Sequence, residues 1–189
     1  MTAFLFAIWA LLLTPGPSNS LVALSGMRSG VARSLRLLPA ELAAYLLTVV
    51  PLALVGQRLL AAWPAAAVAL KLIAALWVLR LAVKNWSLAD PARATTAVTF
   101  RELFVTTLLN PKALIFGCVL LPQPAVFAQF PLAIALFAGS VLATALLWMT
   151  GGALVGARSM PGDGAKYLHR AVAAWLALLS VGLAGSALS

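Results

Sequence analysis

Two short interruptions, Thr14-Pro15-Gly16-Pro17-Ser18-Asn19 and Leu109-Asn110-Pro111-Lys112-Ala113, cut segments that are otherwise almost wholly apolar. A proline inside a helix removes a backbone donor and clashes with the carbonyl four residues back. In lipid, such a defect persists only where protein or a polar cavity covers it. A simple kink would account for one proline taken alone. Two breaks at matching positions in two halves of a chain point instead to a binding site. Asn is a favoured N-cap and Pro suits the first helical position, so Asn110-Pro111 restarts a helix rather than bending one.

The breaks gain meaning from what surrounds them. Of 189 residues, 63% are hydrophobic and 9% charged, with a mean hydropathy of +1.05. That leaves too little polar surface to cover a soluble globule, and the expectation is an all-α integral membrane protein. The net charge of +9 could suggest nucleic acid. However, the 13 Lys and Arg are scattered between apolar runs with no aromatic-basic platform, which argues against a nucleic-acid partner. Four acidic residues and one His are thin material for a catalytic or metal-ligating cluster, so no enzyme, metal or cofactor is expected. Cys118 has no second cysteine to pair with and reads as a small buried thiol.

Six segments approach the ~20 residues needed to cross the hydrocarbon core. They run over about 3–24, 35–55, 65–83, 100–121, 131–154 and 167–188. The first could pass for a signal sequence, but cleavage near Ser20 would strand Arg28, Arg33 and Arg36 outside, so it reads as a retained helix. Loops 1–2, 3–4 and 5–6 with their flanks hold Arg28, Arg33, Arg36, Arg80, Lys84, Arg93, Arg101, Arg158, Lys166 and Arg170, against Arg58 alone on the other side. This asymmetry puts the basic loops in the cytoplasm and both termini outside. A polar stretch at about 85–99 links a first repeat, 1–84, to a second, 100–189, within a single transmembrane domain spanning 1–189. Three helices is an odd number, so the repeats are inverted.

At 1.5 Å per residue, Pro15 lies roughly 18 Å along helix 1 and Pro111 roughly 17 Å along helix 4, both near the middle of a ~30 Å core. Each half-helix after a break then presents free N–H groups and a positive dipole end to a shared space that suits a carboxylate. The expected substrate-binding residues are Pro15, Gly16, Pro17, Ser18, Asn19, Asn110, Pro111 and Lys112. An ammonium at Lys112 needs an anion. Glu41 is expected to supply it at rest and the substrate's carboxylate when loaded.

The broken first helix with Thr14-Pro15-Gly16-Pro17, the basic loop with Gly26 and Gly30, and Leu108-Leu109-Asn110-Pro111-Lys112-Ala113 with its apolar run to Leu121-Pro122-Gln123 resemble the lysine exporter (LysE/RhtB) family. The likeness in segment count and order covers essentially the whole chain. It implies a six-helix exporter of amino acids or related metabolites in the bacterial inner (plasma) membrane, driven by proton antiport. The chain departs from the family where Ser18 precedes Asn19 after Pro-Gly-Pro, and where Ala40 and Ala44 replace early glycines of helix 2.

Among the remaining polar residues, Glu41 reads either as a structural pair or as a proton carrier or partner of the substrate's amine, and it is the expected coupling residue. Lys71 reads as a snorkelling anchor, and His169 as an interfacial, solvated histidine. Gly152-x-x-x-Gly156 favours close helix packing within the chain. Asn85-Trp86-Ser87 matches a glycosylation sequon on the expected cytoplasmic side and carries no weight. The expected partners are an amino-acid substrate and the lipid bilayer, with a homo-oligomer left open. Two other readings stand beside the exporter: a small-solute channel, which would need a polar stripe along several helices, and a membrane protein of structural role.

Overall fold

The computed structural model describes residues 2–56, 62–87, 97–121, 129–158 and 163–188, and everything regular among them is helical. The first expected segment is two helices, α1 (Thr2–Leu13) and α2 (Pro17–Ser34), with Pro17 at the first position of α2. α2 runs on through the stretch expected as a basic loop. Its helical geometry fails at Gly30 (φ 73°, ψ 167°), a left-handed conformation that suits glycine, and the chain turns there. Ser34 Oγ donates to the Gly30 carbonyl at 2.8 Å and shares a 2.8 Å hydrogen bond with Ser25, closing the turn with side chains rather than solvent.

After a 3-10 turn, Leu35–Leu37, comes α3 (Leu38–Pro51). Pro51 cannot donate to the carbonyl four residues back, and the chain loosens into a π-helical turn, Leu52–Gly56. α4 spans Pro64–Ser87, four residues beyond the expected end. Segment 4 is again two helices, α5 (Phe100–Leu108) and α6 (Pro111–Ile115), followed by a π-turn, Phe116–Leu120. α7 (Phe130–Arg158) and α8 (Asp163–Leu188) complete the chain. Both expected breaks are therefore real helix ends. Arg58, Arg93, Pro122 and Gln123, and residues 88–96 of the expected linker, lie outside the described residues, as do the side chains of Cys118, Arg158 and Lys166.

The helices pair across the halves: α2 lies along α7, α4 along α8, and α3 against α5. Small residues make the first pairing close. A Cβ on Gly26 would fall on the backbone of Met149, and one on Gly152 on the backbone of Ala23. Gly152 and Gly156 both face α2, as the small-residue spacing predicts. One apolar cluster, with Leu21, Leu37, Val78, Leu103, Met149 and Leu176, fills the side toward Gly30. The other surrounds the breaks with Ile8, Leu12, Tyr45, Phe116 and Phe137. Its three rings meet edge-on or tilted at centroid distances of 4.9–6.0 Å.

Two stretches, Pro17–Gly56 and Phe130–Ala157, are long and apolar enough to cross a membrane by length and composition, the first being interrupted at Gly30. Large apolar side chains stand exposed on several helices, among them Phe6 at 77%, Leu76 at 68% and Val181 at 71%.

Candidate functional site

The sequence builds each break from a stop and a restart. α1 stops because Pro15 and Pro17 deny amide donors to its last turn, which leaves carbonyls of that turn without helical partners. Three side chains supply partners, the first being Thr14, whose Oγ1 donates to Leu11 O at 2.7 Å. Asn19 Nδ2 donates to Leu12 O at 2.7 Å and to Thr14 O at 2.9 Å, and Lys112 Nζ donates to the same Thr14 carbonyl. α2 then restarts with Gly16 as N-cap in extended geometry and no side chain over its first amides. At the second break, α5 ends at Leu108, and Asn110 caps α6 by accepting from Lys112 N at 3.1 Å.

The residues that follow the two helix-starting prolines cross over. Ser18, next to Pro17, accepts hydrogen bonds from Thr107 Oγ1 and Asn110 Nδ2, both at 3.0 Å, and so attaches to the second break. Lys112, next to Pro111, reaches the first break at Thr14. Each break is completed by a side chain from the other half. Asn110 Nδ2 also donates to Tyr45 OH at 3.1 Å, which ties α3 into the junction.

The structure thus brings Gly16, Pro17, Ser18, Asn19, Asn110 and Lys112 into one buried junction, with Pro111 half-buried at its edge and Pro15 exposed. The shared space is filled by the chain's own groups. A Cβ on Gly16 would lie 3.1 Å from Lys112 Nζ, so the ammonium rests on the bare Cα of the first break. A cavity of about 20 Å3, enough for a single water, remains beside Asn110 and Pro111, with Thr48 and Lys71 in its wall.

Two expectations are corrected here. Lys112 does not take Glu41 as its resting partner, because its ammonium is held by the carbonyl end of α1, the negative pole of a helix dipole. Sequence reasoning counted only the positive ends of the restarting helices. Glu41 is buried at 3% exposure, one turn before Tyr45, and does not snorkel. It interacts with Lys112 through the electrostatic field without a direct ion pair, and its Oε2 has no hydrogen-bond partner. Lys71 is half-buried in the wall of the small cavity beside the second break.

His169 is also buried, at 1% exposure, where a solvated histidine is expected. It sits between Arg28 Nη2 at 2.6 Å and Asn85 Oδ1 at 3.2 Å, because α8 packs along α4 and turns this face inward. Asn85 donates to Leu81 O at 2.9 Å and is closed to glycosylation.

Sequence reasoning missed Glu102, Tyr45 and Thr107. Glu102 was findable, since Thr99-x-x-Glu102 has the capping-box spacing. Thr99 does cap Glu102 N at 3.1 Å, but the carboxylate turns instead to Lys84, with both oxygens 2.7 Å from Nζ. Tyr45 lies one helical turn after Glu41, a neighbour relation readable in the chain. Thr107 carried no such signal. No group of His, Cys, Asp and Glu that could hold a metal ion occurs among the described residues. No family model, no curated protein and no solved structure matches this chain.

Proposed function

We propose that this chain is a six-helix secondary exporter of an amino acid or related small zwitterion, built as two inverted three-helix repeats in a bacterial inner membrane and driven by proton antiport. The observation that carries the reading is the reciprocal closure of the two breaks: Ser18 of the first half completes the second, and Lys112 of the second half completes the first. Broken helices whose ends meet at a repeat interface are the usual substrate site of inverted-repeat transporters. The helix pairing supports the repeat, because exchanging the halves turns the α3–α5 contact into the α1–α7 contact and the α2–α7 contact into the α3–α6 contact, all of which occur, and leaves α4–α8 unchanged. The exposed large apolar side chains support lipid contact, since a soluble surface rarely presents so many.

In this reading the closed junction is the unloaded state. A substrate carboxylate displaces Thr14 O as the partner of Lys112 and takes the uncapped amides of α2, while Glu41, with one oxygen free, meets the substrate's ammonium or a proton. Competition between proton and ammonium for one carboxylate is a sufficient basis for exchange. The LysE/RhtB-like motifs agree with this assignment. Purified protein in vesicles loaded with a panel of amino acids tests it: efflux should rise with an imposed pH gradient for at least one zwitterionic substrate. Gradient-independent leakage of all solutes would replace it with a channel. A cytoplasm-only reporter fused after Ser189 should be silent, and a strong signal would reverse the topology.

A further inference from the structure

We propose that the cleft between the C-terminal end of α4 and the N-terminal end of α5 is a binding site for a phosphate-bearing anion, and that the headgroup of an anionic membrane phospholipid is the source its surroundings fit. The cleft measures about 490 Å3 and is walled by Trp77, Arg80, Lys84, Thr99, Arg101 and Glu102. Three cations and one carboxylate leave it with an excess of two positive charges. The carboxylate is already committed, because Lys84 engages both oxygens of Glu102. Arg80 and Arg101 have no carboxylate partner among the described residues. Arg80 is held by a cation–π contact, its Cζ over the Trp77 ring at 4.8 Å from the centroid, which keeps the guanidinium at the cleft with N–H groups to offer an oxyanion. The first-turn amides of α5 beside Arg101 add donors of the same preference, since only Glu102 N is capped.

What surrounds the charged cleft decides between a soluble phosphate and a lipid. Arg80 shares one face of α4 with Ile73, Leu76 and Trp77, at helical spacings of three, four and seven. Ile73 and Leu76 are large, apolar and exposed at 52% and 68%. On the α5 side, Phe100 is exposed and stacked on Phe104 at 6.4 Å. A cationic cleft that continues into an exposed apolar stripe matches a headgroup with acyl chains. A free phosphate would leave the stripe uncovered. The inference rests on the membrane reading of the chain but not on any substrate.

The site has a mechanical link to the breaks. Trp77 Nε1 donates to Thr106 Oγ1 at 3.0 Å, and Thr106 lies one turn before Asn110. A lipid seated here therefore braces α4 against the helix that ends at the second break.

Purified protein in neutral detergent is titrated with phosphatidylglycerol, with phosphatidylcholine and with inorganic phosphate, and bound ligand is counted by native mass spectrometry. The expected result is retention of phosphatidylglycerol over phosphatidylcholine, reduced at least tenfold in the Arg80→Gln/Arg101→Gln double variant and unchanged in Arg33→Gln/Arg36→Gln. Glu102→Gln, which frees Lys84, should tighten binding severalfold. Two changes of opposite sign cannot both arise from misfolding. Equal retention by the parent and the double variant overturns the site. Inorganic phosphate binding as tightly as the phospholipid overturns the lipid source and keeps the phosphate site. Efflux from neutral-lipid vesicles reports separately on transport, so failure of one reading leaves the other measurable.

Discussion

At the first break the restarting helix α2 has glycine as its N-cap and no side chain over its first amides, whereas at the second Asn110 covers the amide of Lys112 at 3.1 Å. The ends that precede them differ in the opposite sense. The carbonyls closing α1 are met by side-chain donors, Thr14, Asn19 and Lys112, while α5 ends in backbone bonds of its own, Leu109 N to Val105 O and Asn110 N to Thr107 O, both at 3.0 Å. The second break closes its own backbone and takes only the hydroxyls of Ser18 and Tyr45 from the other half, and it acts as the frame. The first depends on a lysine 98 positions away, whose ammonium a stronger acceptor can draw off. Of two similarly built breaks, the one whose partner is exchangeable is the one expected to respond to substrate.

The sharpest test of that asymmetry is Glu41→Gln, which keeps size and hydrogen bonding while removing the titration. Efflux should lose its dependence on an imposed pH gradient entirely. Unchanged gradient-driven efflux would make the acid structural. Lys112→Met keeps much of the apolar stem, should insert normally, and should bind substrate at least about tenfold more weakly, equivalent to about 1.4 kcal/mol for one lost charge-assisted contact. A Lys112→Met protein that transports like the parent at equal abundance would remove the lysine from the site.

Asn110→Ala addresses the frame. Losing an N-cap costs about 1 kcal/mol, within a range of about 0.5–2, and substrate affinity should fall in the same direction as for Lys112→Met. The loss should appear first as a lower midpoint of thermal unfolding in detergent. A stability effect at Asn110 smaller than that of Ser18→Ala would reverse the assignment of frame and follower. Gly16→Ala is the mildest change. The added methyl meets only the flexible end of Lys112 at 3.1 Å, so folding should be nearly unaffected while substrate affinity shifts a fewfold. An unchanged affinity would show that the ammonium does not need its seat on the first break.

Much of the framework was readable along the chain because its causes are local. Prolines at 15, 17 and 111 forbid continuous helix wherever the chain folds, and Asn110 caps the next turn from its own position. The glycines at 152 and 156 allow close approach on one helix face, and that face is the one α2 occupies. The basic stretch at 28–36 was misjudged as a loop, because helix propensity there is ordinary and only the conformation of Gly30 decides where the chain turns.

What the sequence determined by itself is the all-helical character of the chain and the places where its helices stop and restart, since these follow from backbone donors, steric limits and apolar periodicity within a few residues. Tertiary structure alone decided the partners. Lys112 rests on Thr14, Ser18 on Thr107 and Asn110, His169 on Arg28 and Asn85, and Glu102 on Lys84. A buried polar group must be satisfied, but several groups of suitable chemistry compete to satisfy it. Packing brings together residues from 18 to 141 positions apart in these pairs, and that proximity, which no local rule encodes, selects among them.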